Sequence, residues 1–275
     1  MPRKKHLFMV KLKHLVLGFC LLLFTQISNA QFGLYHEIGV IAGPVQFRSD
    51  YGERQDSKTN LGNSGFGIGI VHYLNFTYAD AHISSFTDTY FNDHFKVRSE
   101  LSYNTTNLEH FGEWVDPSKT SEDAERLRTH KGKANNLDIG AQLEFSPLSI
   151  KDFQGYGHRL NPFVTLGLHY TFSSAKVTTT YQNPNPEAIG DINDPSNFYS
   201  GWEPGSVDIS SPNSWSMVTS AGVSYKLTRV SDLMLDFRFQ YYFNDWVDGL
   251  NHQLPSNKSN DWLVWINVGY IHYLD

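Results

Sequence analysis

Nine ionisable side chains occur at alternate positions of segments that are otherwise largely apolar. Lys96, Arg98 and Glu100, for example, follow one another at every second residue of one such segment. The full set is Glu37, Lys96, Arg98, Glu100, Asp138, Glu144, Lys226, Asp236 and Arg238. A period of two places them on one face of each strand, and buried charges persist only when they are paired. Five acids facing four bases therefore predict a nearly balanced polar network inside a closed sheet. A proton or ion path is the alternative, which nothing in the spacing favours.

Patterns typical of catalysis or metal binding are scarce. Ser64 lies in Gly-Asn-Ser-Gly-Phe (62–66), which fails the Gly-x-Ser-x-Gly pattern at its last position. Glycines at 65, 67 and 69 continue into a strand, whereas a dinucleotide-binding loop opens a helix. The histidines form no His-Glu-x-x-His motif, and 190–194 lacks the later Gly and Glu of a calcium loop. The sequence therefore predicts no catalytic residues, no cofactor and no metal.

The first 30 residues have the pattern of a secretory signal peptide. A basic leader precedes an apolar run at 15–24, and small residues lead to an expected cleavage after Ala30. The apolar run is shorter than the roughly 20 residues of a spanning helix, which argues against the alternative of an uncleaved anchor. Cys20, the only cysteine, follows bulky Phe19, so lipidation is not expected. We predict a mature domain at 31–275 without disulfides.

Charge and hydropathy narrow the class of protein. Cleavage would remove five basic residues and no acids, so the net charge becomes 17 − 28 = −11, which argues against nucleic acid as a partner. Mean hydropathy is negative, and the mature chain has no apolar run of about 18 residues. Averaged hydropathy does not detect the strands of a transmembrane barrel, because only one face of each strand is apolar.

Eight segments alternate in the way that such strands do. They are 34–46, 65–76, 94–105, 136–145, 162–172, 215–227, 232–243 and 262–274. In the last, one face is apolar and the other carries Asn267 and Gly269. The residues expected to close the barrel are Trp262, Val264, Ile266, Val268 and Tyr270. We predict an all-β fold, a closed antiparallel up-and-down barrel of about eight strands in the outer membrane, with membrane lipid around it and a lumen filled by side chains.

The connections between these segments predict the orientation of the barrel. Long loops at 47–64, 106–135, 173–214 and 244–261 are expected outside, and the links 77–93, 146–161 and 228–231 on the periplasmic side. The charged run 122–128 is expected to form a short solvated helical turn. Aromatic residues expected to be exposed on the external loops are Trp114, Tyr181, Phe198, Tyr199 and Trp202.

The run Phe-Asn-Asp-Trp-Val-Asp-Gly-Leu-Asn (243–251) resembles the Thr-Asp-Tyr-x-Asp segment of the PorG-like outer-membrane barrels of Bacteroidota. Glu-Ile-Gly-Val (37–40), Asn-Pro-Phe-Val (161–164) with Gly167, and Gly-Val-Ser-Tyr-Lys-Leu (222–227) agree with it. Asn and Trp replace the usual Thr and Tyr. The resemblance covers the barrel and implies a non-enzymatic accessory of type IX secretion, with periplasmic secretion-ring proteins as partners.

Three classes of function remain after these exclusions. A structural or accessory scaffold is favoured by the expected filled lumen and the absence of a catalytic motif. A surface binding or adhesion barrel is the main alternative, because long loops with aromatic residues suit recognition. An enzyme acting at the outer surface would need a converging Ser or His constellation. The sequence identifies no small-molecule substrate.

Overall fold

Eight antiparallel strands form one closed up-and-down barrel, which confirms the predicted fold class. The computed structural model describes residues 34–77, 89–210 and 212–274, so the predicted signal peptide at 1–30 and most of the first periplasmic link lie outside the described residues. The strands are β1 Tyr35–Arg48, β2 Ser64–Asn75, β3 Phe95–Glu109, β4 His130–Phe145, β5 Leu160–Thr179, β6 Ser214–Thr228, β7 Ser231–Tyr242 and β8 Trp262–Tyr273.

The barrel closes where β1 pairs with β8. Val40 lies opposite Tyr270, and Ala42 lies opposite Val268. Both strands also pair with their neighbours in sequence, so their backbone groups are hydrogen-bonded on both sides. This pairing removes the free edge that an open sheet would present. The predicted role of the last strand in closure is therefore confirmed.

The two faces of each strand differ in the predicted way. On β7, Leu235 and Phe237 are 52% and 54% exposed on the outside, whereas Asp236 and Arg238 are fully buried inside. On β8, Val268 is exposed and Asn267 is buried. An apolar exterior around a polar interior is the surface distribution of a barrel that spans a membrane.

Strands β3, β4 and β5 extend further than the alternation of apolar residues predicted. β4 begins at His130 and β5 ends at Thr179, and the two remain paired along this extension. The outward positions there are polar, including Lys131, Lys133 and Lys176. The predicted boundaries stopped where the apolar face stops, although the hydrogen-bond ladder continues beyond it. At the other end, His94 was predicted to begin β3 but is the last residue of a helix.

Within the described residues, four short α-helices lie in the connections: α1 Ser57–Asn60, α2 Thr89–His94, α3 Glu122–Thr129 and α4 Ile150–Gln154. Helix α3 confirms the predicted helical turn of the second external loop. The Ser121 hydroxyl accepts a hydrogen bond from the amide of Ala124 and caps its N-terminus. In the described part of the chain, no helix is long and apolar enough to cross a membrane.

Large side chains fill the interior together with the charged ones. Trp265 is fully buried, and Ile41, Tyr73, Phe163 and Met234 are almost so. A Cβ atom on Gly67 would lie only 2.5 Å from the Trp265 ring, so a glycine is needed where this ring crosses the lumen. An eight-stranded barrel is just wide enough for such side chains to fill.

We expect Phe237→Arg to lower the free energy of unfolding by about 2–4 kcal/mol, because it places a charge on the lipid-facing apolar surface. Urea unfolding in lipid vesicles and heat-modified gel mobility measure this. Thr178→Arg is the control, since Thr178 lies outward on the polar extension of β5. Equal effects of the two substitutions would contradict the assigned faces.

Candidate functional site

The centre of the lumen is an ion-pair network around Glu100. The two terminal guanidinium nitrogens of Arg238 donate to its two carboxylate oxygens at 2.6 Å. Arg98 donates to Glu100 at 2.9 Å and to Asp236 at 3.1 Å. All four side chains have no accessible surface. The structure thus brings these four predicted residues together in a charge-assisted, doubly hydrogen-bonded cluster.

A second part of the network lies near the end of the barrel that has the shorter links. Lys96 Nζ lies 2.9 Å from Glu37 Oε1, and this carboxylate also accepts from the amide of Gln154 on α4. Lys226 pairs with Asp232 at 3.2 Å. Asp232 was not in the predicted set, although it shares the inward face with Asp236 by the same period of two.

Two of the predicted residues are not members of an ion pair among the described residues. Asp138 is held by hydrogen bonds from Asn104, Thr171 and Gln240, at 3.2, 2.6 and 2.9 Å. Oε2 of Glu144 has no hydrogen-bond partner among the described atoms. With Asp232 included, six acids and four bases lie in the lumen among the described residues. The excess of acids over bases there is two, where the sequence analysis expected one.

The long-loop end of the barrel is closed by a cluster around Arg54 in the first external loop. Its guanidinium contacts Asp50, Asp245 and Asp261 at 3.0, 2.5 and 3.0 Å. The Asp248 carboxylate accepts from the amide of Asp50 at 3.1 Å. Asp245 and Asp248 belong to the segment on which the family resemblance rests. In this chain they join the fourth external loop to the first.

Above this cluster, three histidines that are far apart in sequence come together with aromatic rings. The Tyr51 hydroxyl lies 3.2 Å from His130 Nε2, and His130 Nδ1 lies 2.9 Å from His110 Nε2. The Trp202 ring stacks on His252, with centroids 5.4 Å apart. We call Tyr51, His110, His130, Trp202 and His252 the histidine cluster. Sequence analysis missed it, because the external loops and the extension of β4 contribute its members.

Burial determines the protonation of this cluster. It lowers the pKa of His110 to about 3, with a further contribution from His252, and lowers the pKa of His130. Burial likewise lowers the pKa of His252 to about 4, with Arg54 adding to the effect. Neutral rings fit the geometry, since Tyr51 can donate to His130 and His130 to His110, with each receiving nitrogen unprotonated.

A cavity of 440 Å³ opens between the external loops beside the histidine cluster. All four loops contribute to it: Tyr51 and Glu53 from the first, Trp114 from the second, Trp202 from the third and His252 from the fourth. Other lining residues are Asp50, Gly52, Thr59, His110, Phe111, Lys119, Ser121, Asp123, Ala124, Leu127, Tyr199, Leu254 and Asn257. Its volume lies in the ~300–1,000 Å³ range of small-molecule sites.

The aromatic residues predicted to be exposed have two different roles. Trp114 is 57% exposed at the cavity, and Tyr199 and Trp202 line it while half-buried. Tyr181 and Phe198 are only 5% exposed, so the prediction was wrong for them. The rings of Phe198 and His130 pack edge to face, and Arg126 lies over the Tyr181 ring. Tyr181 and Phe198 are therefore buried within the third external loop, where they form part of its own apolar core.

The cavity combines an exposed indole ring with hydrogen-bonding groups of both kinds. Glu53 and Asp123 offer carboxylate acceptors, and Lys119 offers a donor. The described residues contain no group of three or more His, Cys, Asp or Glu side chains arranged to hold a metal ion. The arrangement can bind a polar molecule that also has an apolar face.

No family model and no curated protein matches the chain. Among solved structures, a major outer membrane protein of Thermus thermophilus is 13% identical, over 87% of this chain and 99% of that one, with a TM-score of 0.43. Ail of Yersinia pestis, in complex with the heparin analogue sucrose octasulfate, is 10% identical over 88% and 99%, with a TM-score of 0.41. Neisserial surface protein A is 12% identical over 87% and 96%, with a TM-score of 0.40. Such values carry no argument about function.

We expect Glu100→Gln to lower the free energy of unfolding by about 3–5 kcal/mol, since it removes the carboxylate that Arg238 binds at 2.6 Å and leaves two buried guanidinium groups with Asp236 as their one remaining carboxylate. Urea unfolding in vesicles measures the loss. Glu113→Gln, in an exposed short helix of the second external loop, is the control and should change little. A loss below about 1 kcal/mol for Glu100→Gln would show that the network is not required for folding.

We expect the three histidines to stabilise the closed loops above pH ~6.5, and this contribution to be lost as the pH falls toward their lowered pKa values. Burial and the neighbouring Asp248 raise the pKa of Asp50 to about 9. Protonated Asp50 therefore stabilises the closed loops at low pH, and this contribution is lost as the pH rises, which is the opposite dependence to that of the histidines. The variant His110→Phe separates the two effects.

Hydrogen exchange of the 49–63 amides at pH 7.5 and 5 provides the measurement. From pH 7.5 to 5, the wild type should lose about 2 kcal/mol more opening free energy than His110→Phe. Equal pH dependence in both proteins would contradict a neutral, buried His110.

Proposed function

We propose that this protein is a non-conducting barrel of the outer membrane that binds carbohydrate in the external cavity. The observation that carries the proposal is the 440 Å³ cavity, to which all four external loops contribute. A cavity made by four separate segments, pinned by Arg54 and the histidine cluster, is largely preformed. Preformed sites bind with a smaller loss of conformational entropy.

The chemistry of the cavity favours a sugar over an apolar or a strongly charged ligand. The C–H face of a sugar ring can pack on the exposed ring of Trp114. Its hydroxyls both donate and accept hydrogen bonds, and the wall offers an acceptor on Glu53 and a donor on Lys119. The lining carries charges of both signs, so it suits a polar ligand without a large net charge.

The filled lumen supports binding rather than transport. Arg98, Arg238 and Trp265 are fully buried inside the barrel. At the long-loop end, Tyr51 and Leu250 are also fully buried. A solute would have to displace paired charges and packed rings along the whole axis.

A scaffold role in type IX secretion is a second proposal, supported by the family resemblance and by the periplasmic end. There Asp93 accepts hydrogen bonds from the Ser149 hydroxyl and the Lys151 amide, which joins α2 to α4. Two helices fixed to each other offer a surface for a periplasmic protein. Crosslinking in intact cells, followed by identification of partners, tests this role, and the absence of secretion-ring proteins would contradict it.

We expect the purified protein, in a detergent without a sugar headgroup, to bind at least one member of a panel of neutral oligosaccharides by calorimetric titration. Trp114→Ala should weaken this binding roughly tenfold, or about 1.4 kcal/mol, because it removes the stacking surface. The control is Trp246→Ala, since Trp246 lies in an external loop but does not line the cavity. Absence of binding to the panel, or equal losses in both variants, would overturn the proposal.

A further inference from the structure

A second concave surface lies on the outside of the barrel, where β3, β4 and β5 pass beyond the apolar belt. It is a groove of 480 Å³. Its lining consists of Tyr103, Lys133, Asn135, Leu137, Phe172, Ser174 and Lys176. We call it the lysine groove. Tyr103, Leu137 and Phe172 are register neighbours across the three strands and are each more than 40% exposed, so one end of the groove is apolar.

The other end of the groove is a pair of like charges. Lys133 and Lys176 are directly opposite in the β4–β5 register, and both side chains are exposed. Among the described residues, no carboxylate lies within ion-pair distance of either lysine. Like charges directly opposite on a sheet are destabilising. An anion placed between them would reverse the sign of this interaction.

Within the part of the chain that the structure describes, the flanking strands β3 and β6 place no free carboxylate beside Lys133 and Lys176. On β3, the residue opposite Lys133 is Asn107, which carries no charge. The nearest acid along that strand is Glu109, and it is occupied by Lys131 at 2.9 Å. Ladder pairing of β5 with β6 ends at Thr171 and Ser214, so β6 places no residue opposite Lys176.

The height of the pair matches the headgroup layer. Outward aromatic residues at the long-loop end, including Tyr103, Phe172 and Trp215, mark the boundary of the apolar belt. Lys176 follows Phe172 by four residues, which corresponds to about 13 Å along a strand and about 10 Å along the normal of a tilted barrel. Lysine side chains extend back toward such a boundary. Their ammonium groups therefore reach the layer in which lipid phosphates lie.

We propose that the lysine groove binds a phosphorylated lipid of the leaflet that faces the long loops, with the phosphate between Lys133 and Lys176 and an acyl chain along Leu137 and Phe172. Charge complementarity accounts for the headgroup, and the exposed apolar strip accounts for the chain. The inference depends on the barrel spanning the membrane, but it does not depend on a ligand in the external cavity.

Native mass spectrometry of the full barrel, released from phosphatidylcholine nanodiscs doped with diphosphorylated lipid A, tests the proposal. We expect one retained lipid A per wild-type barrel and at least tenfold less retention for Lys133→Gln/Lys176→Gln. Lys58→Gln/Lys258→Gln is the matched control, since it removes the same charge from exposed positions outside the groove. Heat-modified gel mobility verifies that every variant is folded.

Two further arms identify the source of the phosphate. Lipid A without its phosphates should be retained no better by the wild type than by the double variant. Inorganic phosphate at millimolar concentration should not displace the phosphorylated lipid, because the acyl chain contributes to binding. Three results would each overturn the proposal: equal retention of diphosphorylated lipid A by the wild type and the double variant, retention of the phosphate-free lipid by the wild type as high as that of the diphosphorylated lipid, or displacement of the diphosphorylated lipid by inorganic phosphate.

Discussion

Closure of the β1–β8 ladder is the constraint on which the rest of the structure depends. In a bilayer, no water is available for an unpaired row of backbone groups, so a sheet must close on itself. Closure with eight strands fixes a narrow lumen. A narrow lumen requires small residues where a ring as large as Trp265 crosses it, as at Gly67. It also brings most of the inward ionisable groups into ion pairs or hydrogen bonds with one another.

The inward charges adapt to this confinement in different ways. Glu100 is shared between Arg98 and Arg238, so one carboxylate serves two guanidinium groups. Asp138 is satisfied by three neutral donors instead of a base. Such side-chain networks make the interior specific in shape, because removal of one partner exposes another to a low-dielectric environment. The lumen therefore acts as the core of the protein.

Since the lumen is a core, the surfaces available for function are at the ends and on the outside. At the long-loop end, Arg54 holds carboxylates from the first and fourth loops, and the histidine cluster packs against it. This packing gives long polar loops a fixed shape and leaves the external cavity open. On the outside, the extension of β3, β4 and β5 lifts Lys133 and Lys176 above the apolar belt. Both candidate sites thus result from structure beyond the membrane span.

The sequence by itself determined where the strands cross the apolar belt and which face of each is apolar, because a period of two is a local property of the chain. The closing role of β8 was predicted from the requirement that a sheet in a bilayer has no free edge. The sequence also placed Glu37, Arg98 and Arg238 on the inward face. Only the tertiary structure decided that Arg54 is the centre of the external cluster and that His110, His130 and His252 meet. Those residues lie in loops without periodicity, and their contacts join segments about 20 to 200 residues apart. Such contacts cannot be predicted from local sequence patterns, since they depend on how the closed barrel brings its loops together.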